Sequence, residues 1–296
     1  MRSQSIQYTQ FLLNSGYVPD NTECWKGDRF DNNAKPNRLS VSKGVYDFSY
    51  CEWDHCSTTG NGAGICCSIT GSSLSVRDCH FYFCSASGDG GGCYVLSANT
   101  ITFEKCSFLN GSALSTSLSN GGAGIYAKSV KVNIWVSNCF FFGGRVNDDG
   151  GGSIFTSCSS QESLLCDSCR FLCGHTLSTR TSGGGGIRYE NITPTPKSSN
   201  CLFALNKAYQ RAGGLDTTVG KTDCKNLILF CFFYKNDAPH GSDVCLYCKL
   251  GNPNSDPFVH SFTLGSTNAY VSFTQDWTVL SDYKNSWLPL TVIVEY

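Results

Sequence analysis

Apolar and polar residues alternate along this chain in short bursts, and each burst ends at the same kind of place. Five and three positions before a recurring cysteine stand Tyr46 and Phe48, Leu74 and Val76, Ile101 and Phe103, Ile134 and Val136, and Leu164 and Cys166. Alternation with a period of two predicts a strand with one buried face. The residues just before the cysteine are mostly polar, as in Arg77-Asp78, Glu104-Lys105, Ser137-Asn138 and Ser199-Asn200. The alternation loses its parity there, so a bend or bulge is expected. After the bend comes Cys-x-aromatic, with both named side chains on one face of a second short strand.

That tripeptide recurs seven times. The cysteines are Cys51, Cys79, Cys106, Cys139, Cys169, Cys201 and Cys231, spaced 27 to 33 residues apart. Their aromatic partners are Trp53, Phe81, Phe108, Phe141, Phe171, Phe203 and Phe233. A second mark runs in counterphase: Gly-rich clusters ending at Gly64, Gly92, Gly124, Gly152, Gly186 and Gly214, with a weaker echo at Gly241-Ser242. A third strand is predicted directly after each cluster, as in Gly64-Ile65-Cys66 and Gly124-Ile125-Tyr126. Two marks with one period make an internal repeat. Three short strands and three corners in about 30 residues describe one coil of a parallel β-helix. The expected architecture is all-β: a right-handed solenoid of about seven coils, roughly 34 Å long at the inter-strand spacing.

Residues 45–248 hold the repeats. Residues 1–44 and 249–296 leave the period and are expected to cap the two ends, because an open solenoid exposes a sheet edge and its core. The end, Leu290-Thr-Val-Ile-Val-Glu-Tyr296, reads as a last strand. The repeat weakens late: Pro196 and Ser198 stand where apolar residues are expected, and Asp243 lies beside the weak glycine mark. Glycine at one corner answers a need for positive φ or for close approach of the next coil. The longest inserts, Ala113–Asn120, Arg145–Asp149 and Leu177–Ser182, lie just before it. They would set longer loops along one edge, which in repeat proteins is often the binding side.

Composition agrees with a β protein. The 296 residues include 31 glycines and one methionine, and only 15% are charged. The net charge of −1 argues against a nucleic-acid partner, which would need a clustered cationic face. The start is too polar for a signal-peptide core, and no apolar run is long enough to span a membrane, so no membrane insertion is expected of this chain. The sequons Asn110-Gly-Ser112 and Asn191-Ile-Thr193 are compatible with secretion.

Candidate chemistry is sparse. There are 19 cysteines, an odd number. Stacked positions in a parallel sheet lie about 4.8 Å apart with parallel Cβ vectors, whereas a disulfide wants Cβ atoms closer and converging. The cysteine column therefore reads as stacked thiols in the core, and the aromatic column as stacked rings. Cys166-Asp-Ser-Cys169 and Cys245-Leu-Tyr-Cys248 have CxxC spacing but belong to separate coils, so one shared zinc is not expected. Cys248 has two candidate partners, Cys245 and Cys224. Five acids lie by the glycine corner: Asp89, Asp148, Asp149, Asp216 and Asp243. Aligned along one edge they would line a shallow acidic groove, able to hold Ca²⁺ or to act as acid and base on a glycosidic bond. Aspartate also simply favours turns. The five histidines show no ligand spacing, and the glycine runs lack the Lys-Ser/Thr of a phosphate loop. No cofactor is expected.

Gly-Gly-Ala-Gly-Ile-Tyr at 121–126 and Gly-Ala-Gly-Ile at 62–65 resemble the GGA-I element of polymorphic outer-membrane protein repeats. Cys201-Leu-Phe-Ala-Leu-Asn206 and Cys231-Phe-Phe-Tyr-Lys-Asn236 resemble their F-x-x-N element. The pattern is also similar to the Cys-rich right-handed β-helix surface proteins of protozoa, within the pectin-lyase-like fold. The resemblance covers residues 45–248. It implies a non-catalytic, adhesin-like protein of the cell surface or extracellular space that binds a glycan or protein, with no catalytic residues to carry over. The alternative it leaves is a carbohydrate-active lyase or glycoside hydrolase using the loop-edge acids. Asp148-Asp149 matches the paired acids of polygalacturonase-like enzymes, but their Gly-His-Gly is missing; Cys173-Gly174-His175 comes nearest.

Overall fold

The computed structural model describes residues 44–67, 70–114, 121–130, 133–147, 150–157, 163–177, 183–192, 197–219, 228–239 and 243–248, together with strands at 22–26, 29–31, 39–41, 259–264 and 269–272. All of its paired strands run parallel, and the described residues contain no helix. The protein is a parallel β-solenoid.

The coils have four strands rather than the three expected, and two of them add a fifth short strand, Gly121–Gly122 and Gly150–Gly151, which pair with each other. In the first coil the four are Val45–Ser49, Glu52–Asp54, Ser57–Thr58 and Ile65–Cys67. The long first strand buries alternate residues, Tyr46 and Phe48 in this coil. The second buries the aromatic residue, and the third is only two residues long. Two residues are too few to show a period, which is why the alternation did not announce this strand. Six strands stack on the two-residue face, from Ser57–Thr58 to Lys207–Ala208. Six rungs with all four strands make about five full turns, fewer than seven coils. In the next repeat the first two strands merge into Ile228–Tyr234, and the short face is reduced to a single bridge between Lys207 and Asp237.

The expected bend before the cysteine is a single left-handed residue. Tyr50, Asp78, Lys105, Asn138, Ser168 and Asn200 all have φ between 50° and 58°. A second left-handed corner follows the aromatic strand, at His55, Phe83, Asn110, Gly143, Cys173, Leu205 and Lys235. These corners are costly for non-glycine residues. They persist because each keeps its place in the inter-coil ladder: Asp78 N–H donates to the Glu104 carbonyl at 2.9 Å, and Phe83 N–H to that of Leu109 at 2.8 Å. At these corners the backbone donor stays paired, and a buried unpaired donor would cost more than the strained φ.

The two periodic marks of the sequence turn out to be one packing unit. The aromatic rings form a single column. Neighbouring centroids from Trp53 to Phe233 are 4.4–4.9 Å apart and neighbouring planes lie within 14°. In five coils the glycine lies against the ring of the next; Gly152 instead meets the Gly185 carbonyl and the His175 N–H. A Cβ on Gly92 would stand 2.9 Å from the Phe108 ring and 2.8 Å from the Gly124 carbonyl oxygen. Gly64, Gly124, Gly186 and Gly214 meet Phe81, Phe141, Phe203 and Phe233 in the same way. Gly92→Ala is therefore expected to cost about 1–3 kcal/mol by overpacking, read as a lower midpoint in guanidinium unfolding. An unchanged midpoint would mean that the ring can give way.

The boundaries read from the repeat do not limit the sheets. Thr22–Lys26, Arg29–Asp31 and Leu39–Val41 already stack on the first coil. Val259–Leu264 and Ala269–Ser272 continue the stack past residue 248. The remaining residues of the two expected caps lie outside the described ones.

Candidate functional site

The cysteine column lines the first corner from inside. All seven are buried, and among the described residues no disulfide joins them. The thiols of Cys79, Cys106, Cys139, Cys169 and Cys201 donate to the carbonyl two residues back, at 3.1–3.3 Å. Those of Cys106, Cys169 and Cys231 also reach carbonyls of the preceding coil, at 3.3–3.4 Å. Burial, with hydrogen bonds to Cys106 and Cys169, pushes the Cys139 thiol up. We assign Cys169 as neutral, because its own contacts to the Val136 and Asp167 carbonyls require the thiol proton. A buried, proton-donating column is inert packing rather than a nucleophile.

At the second corner one slot holds Cys84 in an early coil and Asn206 and Asn236 in late ones. Each donates to the carbonyl of the preceding coil's aromatic residue: Cys84 to Trp53, Asn206 to Phe171, Asn236 to Phe203. This gives the F-x-x-N spacing its physical meaning. Ser198, out of place in a strand core, is matched by the Tyr189 hydroxyl at 3.2 Å.

The candidate acids separate. Asp148 and Asp149 lie outside the described residues. Asp89, Asp216 and Asp243 are all buried, so these three do not line an open groove. Asp89 lies near Tyr94 and Tyr126, whose hydroxyls are pushed up by burial first and then by its charge. Asp243 accepts a hydrogen bond from Asn236 Nδ2 at 3.0 Å. Asp216 belongs to a column on the outer side of the fourth strands. Tyr94 and Tyr126 stack at 5.0 Å, Tyr126 and Phe155 at 5.1 Å, and the Arg188 guanidinium lies 5.6 Å from the Phe155 ring. Asp216 then receives Arg211 Nε at 3.2 Å and the Gly183 N–H at 3.4 Å, with Arg188 Nε 3.9 Å away. Burial pushes its carboxyl up, and Arg211 and Arg188 hold it back. Glu190, 3.6 Å from Arg188, completes a balanced quartet.

The sequence reading missed the arginines of this quartet and a second column, on the short face. There Arg145, His175 and Lys207 stand in register on successive coils, followed by Asp237. Burial, then Lys207 and Arg145, lowers the His175 pKa against the pull of Asp237. Lys207 and Asp237 pair at 2.9 Å with both side chains more than half exposed. The signal was present in the numbering, because 145, 175 and 207 each follow a column cysteine by six positions. Unlike residue types hid it.

Among the described residues no three His, Cys, Asp or Glu side chains come together as metal ligands, and no helix is long and apolar enough to cross a membrane. Neither a protein family, nor a curated protein, nor a solved structure matches this chain. The solenoid assignment rests on the chain's own strand register.

Proposed function

We propose that this is a non-catalytic, adhesin-like β-helix protein that binds an extended ligand, a glycan or a protein segment, along its side. The proposal includes the finer resemblance to right-handed, pectin-lyase-like surface repeats. One observation carries it: side chains on the short face repeat at one-coil spacing, with Arg145, His175 and Lys207 in one line. Two permanent cations two coils apart, with a protonatable imidazole between them, suit a linear ligand that carries regularly spaced anionic groups. The enzyme alternative draws no support from Asp89, Asp216 or Asp243, which are buried and held by neighbours.

The test is a binding screen of acidic and neutral glycans and of extracellular proteins, run beside a glycan turnover assay. Binding without turnover is expected. Lys207→Ala and Arg145→Ala should each weaken an acidic ligand about two- to fivefold, the scale of an exposed ion pair. The pH dependence has a definite sign. An anion on the column favours the His175 imidazolium, whose pKa lies below the ordinary value. Binding should therefore tighten as pH falls through that lowered pKa. Clear product formation, lost on replacing Asp148 and Asp149, would overturn the proposal.

A further inference from the structure

The outer side of the three-residue aromatic strands is unusually apolar. Outward positions on successive coils hold Tyr82, Leu109, Phe142 and Leu172 in register. The corner beside them presents Phe83 and Leu205. Exposures reach 48% for Phe83, 39% for Phe142 and 52% for Leu205. Phe83 and Leu205 also stand at left-handed φ, where their neighbours in the same column use Asn110 and Gly143. A bulky exposed apolar residue in that conformation helps neither solubility nor the local backbone.

We infer that this stripe is the interface of a homodimer in which two copies lie side by side and antiparallel, related by a two-fold axis that crosses the Phe142 coil. The argument is self-complementarity, which an isologous interface requires. Pairing the coils about Phe140–Phe142 sets each coil before it against one after it. Phe142 meets its own copy, Leu109 meets Leu172, Tyr82 meets the small Ala204, and Phe83 meets Leu205. Near the axis like faces like, and further out the large Tyr82 faces the small Ala204.

Charge follows the same symmetry. One end of the stripe carries Glu52 and Asp54, the other Lys235 beside the Tyr234 ring. The two-fold sets the Lys235 corner of one copy against the His55 corner of the other, where Asp54 is bonded to His55 at 2.6 Å, so Lys235 reaches the Asp54 carboxylate diagonally, twice per dimer. A parallel arrangement would oppose like ends instead. Arg170 faces Ser107, a hydroxyl that can accept its hydrogen bond. The strands are roughly 10 Å wide and the seven stacked rungs of this face about 30 Å long, so the strand face alone gives roughly 300 Å² per copy, below the usual range of specific interfaces until the flanking corners are added. The dimer should accordingly be concentration-dependent.

Sedimentation equilibrium of the full chain between about 1 and 200 μM tests this, on the scale expected for a small interface. A reversible monomer–dimer transition is expected. Phe142→Glu lies on the axis and acts twice, so it should weaken dimerisation by about tenfold or more. Leu205→Asn should also weaken it, and asparagine suits the left-handed corner, so the fold is kept. Both variants should unfold at the native midpoint. Lys235→Glu should weaken the dimer, and Lys235→Glu with Asp54→Lys should restore it. A chain that stays monomeric to the highest concentration would sink the inference and leave the stripe to another occupant. So would a dimer indifferent to Phe142→Glu, or a charge reversal that fails to restore association.

Discussion

Phe141→Ala should destabilise the protein by about 3–5 kcal/mol, the range for deleting a buried phenylalanine ring. That is a large part of the total stability of an ordinary domain. The ring is stacked on Phe108 at 4.8 Å and on Phe171 at 4.9 Å, and it covers Gly124. A glycine below and flat rings on either side leave few side chains able to move into the hole. In a solenoid each coil is stabilised by its two neighbours, so a lesion at mid-column weakens two interfaces at once. Guanidinium unfolding followed by circular dichroism measures the loss. Phe83→Ala is the control, because Phe83 is half exposed and belongs to no column of the core; its effect should stay within about 0.5 kcal/mol. Equal losses for the two variants would show that the stacked column is not what holds the coils together.

Asp216→Ala is expected to cost about 3–5 kcal/mol, as breaking a buried ion pair does. Asp216 is fully buried and receives Arg211 Nε, with Arg188 close by; both arginines are only 3% exposed. Guanidinium groups do not give up their proton, so without the carboxylate two cations stay buried against Glu190 alone. Most of the loss then comes from what is left behind. Replacing the charges together should reveal this: Asp216→Leu with Arg211→Met should unfold closer to the native midpoint than Asp216→Ala does. A double variant less stable than the single one by the sum of independent effects would mean that the residues do not act as a unit.

The columns were legible because their side chains sit in fixed slots and are chemically alike. Cysteine and an aromatic residue two positions later announce themselves seven times, and the glycines do so in counterphase. The second corner was not legible. His55, Phe83, Asn110, Gly143, Cys173, Leu205 and Lys235 share a left-handed φ and nothing else. Their conformation is imposed by hydrogen bonds to the next coil, not by residue preference. The loop-edge acids show the same limit. Nearness to glycine grouped them, yet Asp216 is defined by Arg188, 28 residues earlier and one coil away, and Asp243 by Asn236.

The sequence alone determined that this chain coils as a parallel β-solenoid and which side chains fill its interior. A buried position in a repeating strand must be apolar and fit between the same position of the coils above and below, and that demand is written into most repeats. The tertiary structure decided which outward residues become neighbours. Stacking makes a column out of residues about 30 positions apart in the chain. The Arg145–His175–Lys207 row, the buried arginine quartet and the apolar stripe around Phe142 exist only once the coils are in register.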